Sequence, residues 1–249
     1  MTRPPRHVLD VLEVLTASGY NAVLVGGCVR DILLGRRPAD WDAASSAAPE
    51  AVMGLFPRVL PTGIRHGTVT VMSRGRGVEV TAFRADGAYS DHRRPDSVRF
   101  TASLEEDLSR RDFTINAMAM GADGRLWDPF GGRADLKARI IRCVGDPETR
   151  FSEDALRMLR AYRFSAQLGF GIERDTRAAI KKKAFLATGL SPERVRDELK
   201  KTLFSPGPDV ISEMIAAGLL DAWLTRGDPD LTPLRSLPTS AKRWYNRDA

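Results

Sequence analysis

The spacing of apolar positions changes several times along the chain, and each change predicts an element. From His7 to Ser18 they recur at helical spacing, with Val8, Val11, Leu12 and Leu15 on one face. Asn21 to Val25 is a short apolar strand that stops at Gly26-Gly27. Val29 to Leu34 reads as a helix ended by Gly35, Trp41 to Ser46 as extended chain, and Pro49 to Phe56 as a short helix. Thr68 to Met72 and Val78 to Phe83 are β-rich runs split by the turn SRGRG, which predicts a hairpin. The polar stretch Arg84 to Pro95 reads as a mobile loop, followed by an extended run from Ser97 to Thr101. Asp112 to Met118 looks helical, and Met118 to Trp127 looks like a hairpin turning at ADG.

After DPFGG the rhythm becomes helical. Ala134 to Leu203 reads mostly as helices, interrupted at GDPE, GFGIER and GLSPER. From Ser205 the periodicity weakens and prolines accumulate. The expected organisation is therefore α+β: a mixed head over residues 1–133, a helical neck over 134–204, and a short terminal part over 205–249.

Composition narrows the class. The chain has 249 residues, 43% hydrophobic and 28% charged, which suits a globular protein with a proper core. Its two cysteines, Cys28 and Cys143, lie far apart, and its three histidines are scattered. A disulfide framework, a zinc site and a histidine metal cluster are disfavoured, and a reducing cytoplasm is expected. No apolar run is long enough to cross a bilayer, and the N-terminus lacks the pattern of a signal peptide. The formal charge of +6 fits a polyanionic partner without requiring one.

The candidate chemistry is concentrated in LVGGCVRDILLGRRPADWDAASS, Leu24 to Ser46. Gly26 and Gly27 let backbone approach a ligand. The helix start behind them offers free N–H groups to phosphate, with Arg30 as a clamp and Asp31 available to cap or to hold Arg30. In the extended run around Trp41 side chains alternate faces, so Asp40 and Asp42 are expected to point the same way. Two such carboxylates suit a hard cation such as Mg²⁺. Glu79, on VEVTAF, is either a third carboxylate or an edge-strand glutamate facing water. A second cluster is EDALR, Glu153 to Arg157. On a helix starting near Ser152, Glu153, Arg157 and Arg160 share one face, and Ala155, Leu159, Tyr162 and Ala166 face the core. Asp154 stands three residues before Arg157, within reach of it. Glu105-Glu106-Asp107 and Lys181 to Lys183 read as solvated stretches, and His66 as a turn or strand-start residue.

Together these residues carry a resemblance. G-G-x-V-R-D…D-x-D (Gly26 to Asp42), RRDFTINA (Arg110 to Ala117), WDPFGG (Trp127 to Gly132), EDALR and SPERVRDELKK (Ser191 to Lys201) stand in the order found in the class II tRNA nucleotidyltransferases. The head also resembles the related bacterial poly(A) polymerases, although SPERVRDELKK looks more like the tRNA enzymes; the alternatives are a poly(A) polymerase or a truncated nucleotide- or RNA-binding chain with little turnover alone. The resemblance covers roughly residues 20 to 205. It implies a polymerase-β-like head and template-independent addition of C, A or both, from CTP and ATP, to the 3′ end of tRNA. Asp40 and Asp42 would bind two Mg²⁺ ions, with Glu79 as a possible third carboxylate. Gly26, Gly27 and Arg30 would hold the triphosphate. Arg111, Asp112 and Asn116 would contact the nucleotide, with Asp112 near the ribose. Asp154 and Arg157, with Arg160 beside them, would read the base. Asp91 to Arg94 would belong to a flexible loop that helps the switch from CTP to ATP. The body and tail with which the family grips tRNA would be reduced.

Overall fold

The structure is a computed structural model, and it describes residues 3–86 and 98–225. The described residues form two compact units, one running to Ala138 and the other starting at Arg139. The change of pattern after DPFGG would place this boundary at residue 133. The difference is one short helix, which stays with the first unit.

The first unit opens with α1 (Arg6–Ala17), whose face of Val8, Val11, Leu12 and Leu15 is fully buried. Then come β1 (Ala22–Val25), α2 (Gly27–Leu33), β2 (Asp42–Ser45), α3 (Pro49–Leu55) and β3 (Val59–Gly63). β4 (Thr68–Ser73) and β5 (Arg76–Ala82) form the expected hairpin. β3 was not expected, because Pro61 argues against a strand. It is tolerated because β3 lies at the sheet edge, where a missing N–H breaks no ladder. β6 (Arg84–Asp86) pairs with β7 (Val98–Phe100), so the first residues of the expected loop are strand. Asp91 to Arg94 lie outside the described residues.

The helix in this region precedes RRDFTINA: it is α4 (Leu104–Ser109), capped by the Ser103 side chain, which accepts from the Glu106 N–H. Asp112 to Met118 holds only a 3₁₀ turn, Thr114–Asn116. β8 (Ala119–Met120) and β9 (Leu126–Trp127) complete the predicted hairpin. The seven strands run in the order β3-β4-β5-β2-β1-β8-β9, with β2 and β5 parallel. Val23, Val25, Ala44, Phe83, Leu108 and Ala119 make the core over which Leu104, Trp127 and Phe130 pack.

α5 (Gly132–Ala138) closes this unit and explains WDPFGG. The Asp128 carboxylate accepts from the N–H groups of Gly132 and Arg133, at 2.6 and 3.0 Å. A Cβ on Gly132 would lie 2.3 Å from the Thr114 carbonyl oxygen, so only glycine lets the helix start approach the 3₁₀ turn. The Thr114 hydroxyl then donates to buried Asp135 at 2.6 Å.

The second unit is mostly helical, as its periodicity predicts. β10 (Ile140–Ile141) leads to α6 (Pro147–Glu153), which is capped by Asp146 of GDPE. α7 (Leu156–Leu168) ends at Gly169, whose φ of 69° terminates it. β11 (Gly171–Ile172) pairs in parallel with β10. α8 (Arg174–Lys183), α9 (Pro192–Leu203), α10 (Val210–Ala216) and α11 (Asp221–Thr225) follow. α9 and α10 pack on α7, so residues beyond 205 do build further helix. Among the described residues no helix is long and apolar enough to cross a membrane.

Candidate functional site

In the first unit the site residues gather around the end of β1. Gly26 has φ 73° and ψ −133°, in the left-handed half of backbone space, and so turns the chain out of β1 into α2. A Cβ there would lie 3.0 Å from Nη1 of Arg111. Gly27 is not required in this way: a Cβ would make only ordinary contact, at 3.6 Å, with the Arg30 guanidinium. No side chain caps the start of α2.

Arg30 is held by Asp31, as the sequence allowed: Nε donates to Asp31 Oδ1 at 2.9 Å. Its Nη1 donates to Asn116 Oδ1 at 2.9 Å. Asn116 Nδ2 in turn donates to Asp112 Oδ1 at 3.2 Å, which also accepts from the Phe113 N–H. One continuous chain of hydrogen bonds thus links Arg30, Asn116 and Asp112. Arg30 stands more than eighty positions before the other two in sequence.

The carboxylates sit on neighbouring strands. Asp42 is the first residue of β2 and stands directly opposite Glu79 of β5 in the parallel ladder. Asp40 lies in a bend before the strand, so the alternation expected to align it with Asp42 does not operate there. Asp40 nevertheless acts on Asp42 electrostatically. The Asp42 carboxyl is pushed above its ordinary value. The protein packed around it is the largest cause, then the Glu79 charge, with Asp40 adding a smaller push and Arg111 opposing. All three carboxylate residues keep exposed edges. Like charges directly opposite one another destabilise a sheet, so the arrangement favours a cation. Among the described residues no group of three His, Cys, Asp or Glu side chains forms a ready cage. Behind Asp42, burial pushes the Cys28 thiol up to about 11, so it stays protonated and inert.

Arg111 is anchored by Asp107, part of the stretch Glu105-Glu106-Asp107 expected to be solvated. Asp107 is not solvated: it is 1% exposed. Its Oδ2 accepts from Arg111 Nη2 at 3.0 Å, and its Oδ1 accepts from Arg110 Nε and the Arg84 N–H, each at 3.2 Å. Burial raises its pKa, but the Arg111 and Arg110 charges and these hydrogen bonds outweigh it, leaving Asp107 below the ordinary carboxylate range. The signal was present, since Ser103-x-x-Glu106 has the spacing of a helix start and Asp107 stands at i−3 and i−4 to the two arginines.

In the second unit EDALR is not one helix from Ser152. α6 ends at Glu153, Asp154 is extended at φ −144° and ψ 104°, and α7 begins at Leu156. The break changes the pairing. Arg157 Nη1 donates to Glu153 Oε2 at 2.5 Å and to the Arg150 carbonyl at 3.0 Å. Arg150 reaches the same Glu153 oxygen. Asp154 is held by Arg194 of α9, whose Nη2 lies 3.2 and 3.0 Å from its two carboxylate oxygens. Ala155, Leu159, Tyr162 and Ala166 are buried as expected. Arg160 lies over the Phe164 ring, 5.4 Å from its centroid. Lys182 of the basic run pairs with Glu148, and His66 closes a 3₁₀ turn.

Comparison with known proteins decides the family. Residues 22–142 match the poly A polymerase head domain, and residues 169–233 match a domain described as the probable RNA and SrmB-binding site of polymerase A. A CCA-adding enzyme of Geobacillus stearothermophilus is 49% identical over 224 residues, which is 90% of this chain and 55% of that protein. The chain belongs to the CCA-adding enzyme and poly(A) polymerase family. Another family member, the CCA-adding enzyme of Geobacillus kaustophilus, is 47% identical over 98% of this chain and 60% of its own length. A solved Bacillus stearothermophilus CCA-adding enzyme in complex with CTP superposes with a TM-score of 0.82 at 46% identity, covering 88% of this chain and 53% of that one. A tRNA nucleotidyltransferase complexed with a primer tRNA and an incoming ATP analog gives 0.70 at 31% identity, covering 85% of this chain and 61% of that one. The chain thus spans between half and two thirds of the length of these family members.

Proposed function

We propose that the chain is a template-independent nucleotidyltransferase that adds C and A, from CTP and ATP, to the 3′ end of tRNA. The observation that carries this reading is the opposition of Asp42 and Glu79, with Asp40 near and Arg111 beside them, next to the Arg30–Asn116–Asp112 chain. It joins a cation-demanding carboxylate group to a cationic, glycine-turned phosphate seat. Neighbours named for CTP, an ATP analog and tRNA support the choice of substrates.

Asp40 and Asp42, with Glu79 alongside, would hold Mg²⁺. When bound, two such ions lower the pKa of the attacking hydroxyl and neutralise the leaving pyrophosphate. Arg111, Arg30 and the backbone at Gly26 and Gly27 hold the triphosphate, so that the RNA 3′-hydroxyl meets the α-phosphorus in line. Asp112 and Asn116 orient the ribose. The Asp154 carboxylate accepts from the exocyclic amine of cytosine or adenine, and the Arg157 guanidinium donates to the neighbouring ring acceptor. Uracil and guanine present a carbonyl and an N–H at those positions, so like would face like. A site that leaves buried polar groups unpaired discriminates by about four orders of magnitude.

The test is primer extension on a tRNA transcript lacking its 3′ CCA, with Mg²⁺. Two added residues with CTP and three with CTP plus ATP are expected. Two residues even with both nucleotides would identify a CC-adding enzyme, and a long ladder with ATP alone a poly(A) polymerase. No extension under any nucleotide mixture would reject the reading.

A further inference from the structure

EDALR owes its arrangement to a residue forty positions away. Asp154 sits in the break between α6 and α7, where extended backbone gives it no helical neighbours to fix it. Its Oδ1 accepts from the Leu156 N–H at 3.1 Å, and both its oxygens lie within hydrogen-bond distance of Arg194 Nη2. Asp154 is the one hydrogen-bond and ion-pair partner of Arg194 among the described residues, and Arg194 Nη1 is buried with none. A cation placed for general stability would spread its donors over carbonyls and several acids. This one is committed to a single carboxylate.

The helix that carries Arg194 is itself fixed against α7. One turn on from Arg194, on the same face of α9, Glu198 is 4% exposed and accepts from Arg163 Nε of α7 at 2.5 Å. Arg163 also donates to Gln167 at 3.0 Å and lies 4.1 Å from the centroid of Phe164. α9 is therefore pinned to the helix that carries Arg157, and Arg194 projects one turn ahead of the pin. Arg157 has its own separate brace in Glu153. Asp154 and Arg157 are thus held by different partners, Arg194 and Glu153.

We infer that Arg194 is the positioning residue that fixes the acceptor of the base-reading pair, and so sets nucleotide choice. This rests on the reading of Asp154 as the acceptor for the base amine. An ionised carboxylate offers about four lone-pair positions. The Leu156 N–H and one Arg194 nitrogen engage only part of them and lock the plane of the group. The remaining acceptor capacity then meets an amine in one orientation. With Arg194 gone the carboxylate can turn, and a base bearing a carbonyl at that position is no longer met by a fixed lone pair.

The experiment compares kcat/KM for CTP and UTP on the same tRNA primer in four proteins: wild type, Asp154→Ala, Arg194→Met and Arg194→Lys. Thermal melts are recorded for each. Arg194→Met is expected to raise the UTP-to-CTP ratio by about tenfold or more, in the direction of Asp154→Ala. Arg194→Lys keeps the charge without the planar fork and should fall between wild type and Arg194→Met. A merely structural role would lower both nucleotides together and leave the ratio alone. A wild-type ratio in Arg194→Met, while Asp154→Ala shifts it, overturns the inference and leaves the base-reading assignment standing. A wild-type ratio in Asp154→Ala overturns both. Should Arg194→Met fail to fold, Arg194→Lys decides alone: an unchanged ratio rejects the role, and a shift toward UTP supports it.

Discussion

Asp42 and Glu79 face each other across a parallel pair of strands, two carboxylates in direct register, with the Arg111 charge opposing the repulsion at Asp42. The Asp42 pKa is raised, so the folded state binds this proton more tightly than the unfolded chain does. The destabilisation is absent below the unfolded carboxylate value near pH 4 and grows as pH rises through the folded one. At neutral pH and without metal, Asp42→Asn should therefore melt higher than wild type, with the difference vanishing in acid. The same variant should lose transfer by about a thousandfold or more, because a lost metal is worth several kcal/mol at the transition state. Mg²⁺ should raise the melting temperature of wild type and leave that of Asp42→Asn unchanged. Scanning calorimetry in chelator and in Mg²⁺ checks both signs, and a lower melt for the variant in chelator would refute the repulsion.

Asp107 shows the opposite linkage. Its pKa is depressed, so its ion pairs contribute fully above the unfolded carboxylate value near pH 4 and are lost as pH falls through the lower folded value. Asp107→Asn leaves Arg111 and Arg110 without their buried counter-charge and should cost about 3 kcal/mol or more at pH 7. The gap between the two proteins should stay constant down to about pH 4 and close below it. Urea melts across that range measure it. Because Asp107 holds Arg111, KM for CTP should also rise in the variant.

The reach of the sequence is clearest where chemistry is local. Gly26, Arg30 and Asp31 could be read in order because a glycine turn, a helix start and an i,i+1 ion pair act over a few residues. The α1 face and the β4–β5 hairpin were legible for the same reason: periodicity and turn residues report them directly. What failed depended on distance or on a broken rule. EDALR was expected as one helix because its spacing suits one, but Asp154 leaves the helical region to meet Arg194 on another helix. The Asp154–Arg157 pair was inferred from that helix and disappeared with it. β3 was missed because its proline is acceptable only on an edge, and edge position is a property of the assembled sheet.

Gly26 offers a conformational test separate from charge. At φ 73° and ψ −133°, outside the regions open to a residue with a Cβ, an alanine is strained by about 1–3 kcal/mol, and its Cβ would press on Arg111 Nη1 at 3.0 Å. The guanidinium is the far end of a flexible side chain and can move, so the fold should survive. Gly26→Ala is expected to melt a few degrees lower and to raise KM for both CTP and ATP, with the UTP-to-CTP ratio unchanged. Gly27→Ala, which meets only ordinary contacts within the protein, should leave the melt unchanged. An equal loss of stability at the two glycines would contradict this division.

Gly132→Ala tests how the 3₁₀ turn of RRDFTINA is held. The added Cβ would sit 2.3 Å from the Thr114 carbonyl oxygen and 2.9 Å from two atoms of Met118. Met118 can yield in part, but the carbonyl is backbone and cannot move without displacing the turn. Either α5 lifts away, breaking the buried Thr114–Asp135 hydrogen bond, or the turn shifts and carries Asn116 from Arg30. Overpacking of this kind costs about 1–3 kcal/mol, and more when backbone must move. The variant should lose stability on that scale and also lose CTP affinity, since Asn116 links Arg30 to Asp112. Calorimetry with CTP titration separates the two effects. A stability loss with unchanged CTP affinity would show that α5 yields and the nucleotide-facing turn does not.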